Sequence, residues 1–132
     1  MENIYISGSH GANFIPTVNF NAETGVCELA GESYLEDTIE FYAPLFKWLK
    51  QYTTEIKKPV QFNFRLRYFN TASSKCLIDI LHILRKYEET GGTIEVNWYY
   101  DASEEDIEDE LEEIEDFMIE TNIKINMVPE EQ

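Results

Sequence analysis

Residues 68–75 read Tyr-Phe-Asn-Thr-Ala-Ser-Ser-Lys and place three hydroxyls and a lysine where a strand pattern gives way to a helix pattern. Two kinds of chemistry fit there. Asn70 or Thr71 can cap the helix by accepting hydrogen bonds from its first free N–H groups, typically worth about 1 kcal/mol. The same helix start can stabilise a phosphate, since it offers unpaired N–H donors and the positive end of the helix dipole. A phosphate on Thr71 would bring about two negative charges, with Lys75 one turn further on to pair with it. A cap uses one such residue, whereas this segment carries Thr71, Ser73 and Ser74. Taken alone, capping is the simpler reading.

Elsewhere the chain offers little to a catalyst. His10 and His82 are the only histidines, and no H-x-x-H, H-E-x-x-H or C-x-x-C spacing occurs. Cys27 falls in a strand pattern and Cys76 in a helix pattern, as buried inert thiols do. Residues 7–12, Ser-Gly-Ser-His-Gly-Ala, match neither a P-loop nor a dinucleotide fingerprint. No enzyme activity, metal or cofactor is expected.

Charge narrows the partners. The 132 residues hold 26 acids and 10 bases, a net charge of -16 that repels nucleic-acid phosphates and anionic membranes. Twelve acids and no base lie between Asp101 and Glu120, so the rest of the chain nets only -4. Within that stretch Ile107, Leu111, Ile114 and Met118 form a helical stripe, which leaves a carboxylate-rich outer face. That face is either simply solvated or a docking face for a basic partner. A calcium loop at Asp101, Ser103 and Glu105 lacks the required glycine. With 43% hydrophobic and 14% aromatic residues, the chain has the means to fold as one domain over 1–132, with 129–132 a loose tail. Two cysteines, no readable secretory signal and no long apolar run point to a cytoplasmic protein with reduced thiols.

The elements that must position residues 68–75 follow from periodicity. Strands are expected at Asn3–Ile6, Thr17–Asn21, Val26–Ala30, Val60–Asn70, Thr93–Tyr100 and around Ile123, Ile125 and Met127. The 60–70 strand alternates, with Val60, Phe62, Phe64, Leu66 and Tyr68 opposed by Gln61, Asn63, Arg65 and Arg67. Helices are expected at about Glu36–Ile56, kinked or divided by Pro44, at Ala72–Glu89, and in the acidic stretch. The order β-β-β-α-β-α-β-α-β predicts an α/β domain: a mixed sheet of five to six strands, parallel pairs joined by right-handed crossovers, and helices mainly on one face. Arg65 and Arg67 can pair with Glu28 or Glu95 across strands. In the first helix Ile39, Tyr42, Phe46 and Leu49 form one stripe, and Phe41, Leu45, Trp48 and Tyr52 a second. One sheet face seldom needs both. Either the helix is deeply packed, or Trp48 and Tyr52 face a partner, a homodimer being one option.

Four segments in order carry a resemblance. They are Gly31-Glu-Ser-Tyr34 with Glu36, then Phe41-Tyr42 with Pro44 and Trp48, then residues 68–75, then Val96-Asn-Trp-Tyr-Tyr-Asp101. From about Ile15 to Ile125 the chain resembles the SiaC-type regulatory phosphoproteins of bacteria, which have a fold like the STAS anti-sigma-factor antagonists. Two positions depart from that pattern: Leu35 stands where proline is usual, and Ala72 where serine is usual. The resemblance implies a partner-switching protein of c-di-GMP signalling and biofilm control, not an enzyme. A Ser/Thr kinase would phosphorylate Thr71, with Ser73 and Ser74 secondary, and a metal-dependent phosphatase would reverse it. The unmodified form would bind a target such as a diguanylate cyclase. Asn70, Lys75, Glu32 and Tyr34 would shape the surface that these partners read. An alternative is an acidic sequestering protein that uses the 101–120 face against a basic partner.

Overall fold

The computed structural model describes residues 1–9 and 14–130. Three strands open the chain: β1 (Ile4–Ile6), β2 (Thr17–Phe20) and β3 (Val26–Ser33). Helix α1 (Thr38–Gln51) runs into a π-helical turn (Tyr52–Ile56) and then β4 (Val60–Phe69). Helix α2 (Thr71–Glu89), β5 (Ile94–Asp101), α3 (Ile107–Thr121) and β6 (Asn126–Glu130) complete the chain. The six strands lie in sequence order, with β1-β2-β3 antiparallel and β3-β4-β5-β6 parallel. Each crossover steps one strand the same way. Right-handed connections therefore put all three helices on one face, their N-termini at one end of the sheet.

The core lies between that face and the helices. Phe20, Leu29, Phe62, Phe64 and Trp98 are buried from the sheet side, and Leu45, Leu49, Leu77, Ile80 and Ile114 from the helices. Both stripes of α1 are used. Tyr42, Leu45, Trp48, Leu49 and Tyr52 are all buried, Trp48 packs on Phe20 at 5.1 Å, and its Nε1 donates to the Glu2 carbonyl at 2.8 Å. The N-terminal strands supply the extra cover, so Trp48 and Tyr52 do not face a partner, and the doubled stripe gives no argument for a homodimer. Helix α1 is also continuous through Pro44, which is exposed along with Glu40, the residue whose carbonyl loses its helical donor.

The opposite face is polar and without helices. Arg65 bridges Glu28 at 2.6 Å and Glu130 at 2.7 Å, and its guanidinium lies 3.7 Å over the Tyr99 ring. Arg67 meets Asp101 at 3.5 Å, so neither arginine uses Glu95. Asn63, Asn97 and Asn126 stand in register on β4, β5 and β6. Asn97 donates to Asn63 at 2.9 Å and accepts from Asn126 at 3.1 Å. Asn63 and Asn97 are buried although no helix covers them.

Two ends differ from expectation. Ile123 and Ile125 are buried but precede β6, which begins at Asn126. That strand continues through Pro129 and Glu130, paired with Tyr100 and Asp101, so the ladder reaches into the segment expected to be a loose tail. Replacing Asn97 by Ala leaves Asn63 and Asn126 without their shared partner. It should cost about 1–3 kcal/mol in urea unfolding, with the m-value unchanged.

Candidate functional site

β3 and β4 are parallel neighbours, so their C-terminal ends lie side by side. The register steps from Gly31 opposite Leu66 to Glu32 opposite Tyr68, which leaves Arg67 as an extra residue on β4. Gly31 holds φ +93°, where a side chain is strained. This β-bulge reverses the alternation beyond it. Tyr68, expected in the core, is 50% exposed, and Phe69 turns inward to Trp98 and Phe117. The exposed Tyr34 ring lies 6.0 Å from that of Tyr68. Half-buried Glu32 sits opposite Tyr68 in the ladder.

Helix α2 starts immediately after the bulged strand. Asn70 is its N-cap, and its side chain accepts from the Ser73 N–H at 2.9 Å. The Asn70 N–H donates to the Ser33 carbonyl at 3.1 Å. The same carbonyl accepts the Ser73 hydroxyl at 2.9 Å. That bond spends the Ser73 proton, so in the 2.7 Å contact the Ser33 hydroxyl donates to Ser73, and Tyr42 donates to Ser33 at 2.8 Å. Tyr42, Ser33 and Ser73 thus form a buried hydroxyl chain with one direction. Burial pushes the Tyr42 phenol up, against the Ser33 hydrogen bond.

The hydroxyls of the segment therefore have different surroundings. Thr71 is exposed as the first residue of α2. Ser73 is fully buried, so its hydroxyl is not presented at the surface as that of Thr71 is. Ser74 is half-buried and meets Glu113 of α3 at 3.4 Å. Lys75 is exposed and within ion-pair reach of no acid among the described residues. The first turn of α2 has no acidic residue of its own. Its leading N–H groups, those of Thr71 and Ala72, have no intrahelical acceptor. Sequence reading missed Ser33, Tyr42 and Glu113 as parts of this site. For Ser33 the signal was Gly31 interrupting the strand.

The other candidates do not join it. Cys27 and Cys76 are buried, and burial followed by the nearby Asp79 pushes Cys76 up to about 11. His82 is exposed on α2, and His10 lies outside the described residues. Asp101 is occupied by the Ser103 N–H and hydroxyl, at 2.9 and 2.6 Å, and by Arg67. Among the described residues no group of three or more His, Cys, Asp or Glu is placed to hold a metal, and no helix is long and apolar enough to cross a membrane.

The model of the SiaC family regulatory phosphoproteins matches residues 9–130. The chain belongs to that family. A SiaC family member is a regulatory phosphoprotein and not an enzyme. An uncharacterized protein of Pseudomonas aeruginosa strain UCBPP-PA14 is 26% identical over 113 residues, 86% of this chain and 87% of that one. Apo-SiaC of P. aeruginosa has the same fold, with a TM-score of 0.84 and 23% identity over 97% of this chain and 99% of that one. So does the matched chain in the complex of the diguanylate cyclase SiaD with its activator SiaC from the same organism. There the TM-score is 0.85 and the identity 24%, over 96% of this chain and 99% of that one. Four parallel strands with the antiparallel N-terminal pair and helices on one face are thus the SiaC fold.

Two measurements probe the site in this SiaC family member. Ser73→Ala breaks the buried chain and should cost about 1–3 kcal/mol of stability. Burial, the dominant cause, raises Glu110 and Glu113 above the ordinary 4.5. The folded state then binds more protons than the unfolded state just above that value, so stability falls as pH rises through this window. Glu110→Gln should raise stability at neutral pH and flatten this part of the pH profile measured by thermal unfolding.

Proposed function

We propose that this chain is a cytoplasmic partner switch whose state is set by phosphate on Thr71. The observation that supports it is the exposed Thr71 hydroxyl at a helix start that Asn70 caps and that has no acid in its own first turn. Family membership supplies the regulatory phosphoprotein role. Glu32 and Tyr34 lie beside Tyr68 at the ends of β3 and β4, and Asn70 and Lys75 flank Thr71 in the sequence at the start of α2, which supports one surface for both the modifying enzymes and the target. The modifying enzymes are a Ser/Thr kinase and a metal-dependent phosphatase. The target is a diguanylate cyclase, by likeness to the SiaC that is the activator of SiaD.

The physics needs no refolding. In the unmodified protein Tyr34, Tyr68 and an uncharged threonine can enter a close interface. A phosphate there adds about two charges to a protein that is already at -16, and these must be desolvated to keep the contact. Every 1.4 kcal/mol of differential affinity changes binding tenfold.

Mass spectrometry of the protein recovered from its native cells should find phosphate on Thr71 in part of the population. Thr71→Ala should bind the target and carry no phosphate, while phosphothreonine at 71 should weaken binding at least tenfold. Full phosphorylation of Thr71→Ala would overturn the site assignment. Charge reversal at the exposed Glu108, Glu112 and Glu115 should leave target binding intact. Complete loss of binding would instead favour the acidic face as the docking surface.

A further inference from the structure

A groove of about 330 Å³ lies between the C-terminal ends of α1 and α2, at the other end of α2 from Thr71. Helix α1 passes there into its π-helical turn, a rare form that often marks functional positions. The turn is held by its own threonines. Thr53 donates to the Leu49 carbonyl at 2.8 Å and Thr54 to the Lys50 carbonyl at 2.7 Å. From α2 come Ile83, Lys86 and the buried Tyr87, with Thr90 just beyond. Thr90 donates to the Tyr87 carbonyl and the Tyr87 hydroxyl to the Lys58 carbonyl, both at 2.8 Å. Every hydroxyl proton lining the groove is thus spent on a backbone carbonyl. The donors left are the ammonium groups of Lys50 and Lys86. Both lysines are exposed, and neither is in an ion pair among the described residues. Arg85 next to Lys86 is by contrast committed to Glu88 and Glu89. No acid lines the groove, in a chain that carries 26 of them.

We propose that this groove docks an acidic amphipathic helix of a partner protein, and does so whether or not Thr71 carries phosphate. The lining sets the chemistry of the occupant. Ile83, the Tyr87 ring and the threonine methyls ask for an apolar stripe, and the two lysines ask for carboxylates beside it. A small polyanion would leave the apolar part unused and find only two donors. An extended strand would find no unpaired backbone, since both walls are helical. A second copy of this chain fits poorly. Its acidic helix α3 already buries Ile114 and Phe117 in its own core, and copies at -16 repel each other. The same net charge repels an acidic partner at a distance, but at physiological salt charges act over only about 8 Å. Apolar burial therefore holds the helix, and the lysines select it against a basic one. Lys86 is 15 residues beyond Thr71 in one helix. That is about 22 Å at 1.5 Å per residue, which leaves room for both surfaces to be occupied at once.

The probe is a pair of synthetic peptides of about 18 residues, long enough to hold a helix. Both carry leucines at i, i+3, i+4 and i+7, with glutamate at the remaining positions in one and lysine in the other. Titrating the glutamate peptide into the whole 15N-labelled protein should move the amide resonances of residues 50–56 and 83–90. Lys50→Glu combined with Lys86→Glu should weaken that binding at least tenfold and leave the melting temperature unchanged, since both side chains are exposed. Phosphothreonine incorporated at position 71 during synthesis should leave the titration as it was. Shifts confined to other residues would overturn the proposal, as would equal binding by the lysine peptide or by the charge-reversed variant. The same resonances moving when the free protein is concentrated would assign the groove to a second copy instead. Affinity that falls with phosphate on residue 71 would overturn the independence of the two surfaces.

Discussion

The site depends on one residue of β3. The Ser33 carbonyl holds two donors, the Asn70 N–H and the Ser73 hydroxyl, while its own hydroxyl joins Tyr42 to Ser73. It thereby ties α1, β3 and the β4–α2 junction together in a fully buried spot. Such a network is strong when every member is satisfied and costly when one is not. With Ser73 spent inside, Thr71 is held outside by helical geometry. The exposed hydroxyl and the buried one are two residues apart and point in opposed directions because α2 starts where Asn70 caps it.

Much of this was legible in the residues. The alternation from Val60 to Leu66 and the order of elements both read correctly, because tertiary packing follows the local period there. Position 68 did not. Tyr68 continues the apolar alternation, and only the extra Arg67 opposite Gly31 turns it outward. A bulge is a pairing event between two strands, so one strand's pattern cannot show it. Trp48 and Tyr52 were ambiguous for a related reason. Trp48 is covered by Phe20 of β2 and by Glu2, more than 25 residues away in the chain, and Tyr52 stacks on Trp48 in turn. Ser73 could not be told from Thr71 by type, since burial separates them and composition does not.

The topology bears on function in its own way. Ligand crevices in open α/β sheets form where the strand order reverses and helices pass to opposite faces. Strands β3 to β6 never reverse, so all three helix starts stand at one end over one face. What that end presents is a surface: aromatic rings, a capped helix and carboxylates of α3. A protein that is read by others is well served by such a surface, and a rigid sheet beneath keeps it the same for each reader.

The other side of the domain has its own consequence. Strand β6 is a sheet edge, and an edge is a template on which a foreign strand can grow. Pro129 has no N–H to offer such a strand, and Glu130 beside it is committed to Arg65. The amide ladder of Asn63, Asn97 and Asn126 meanwhile fixes the last strand in register, where a slip of one residue would exchange its faces. A regulatory protein is poorly served by an edge that accepts any extended chain. In this domain promiscuous strand addition is therefore discouraged at the β6 edge.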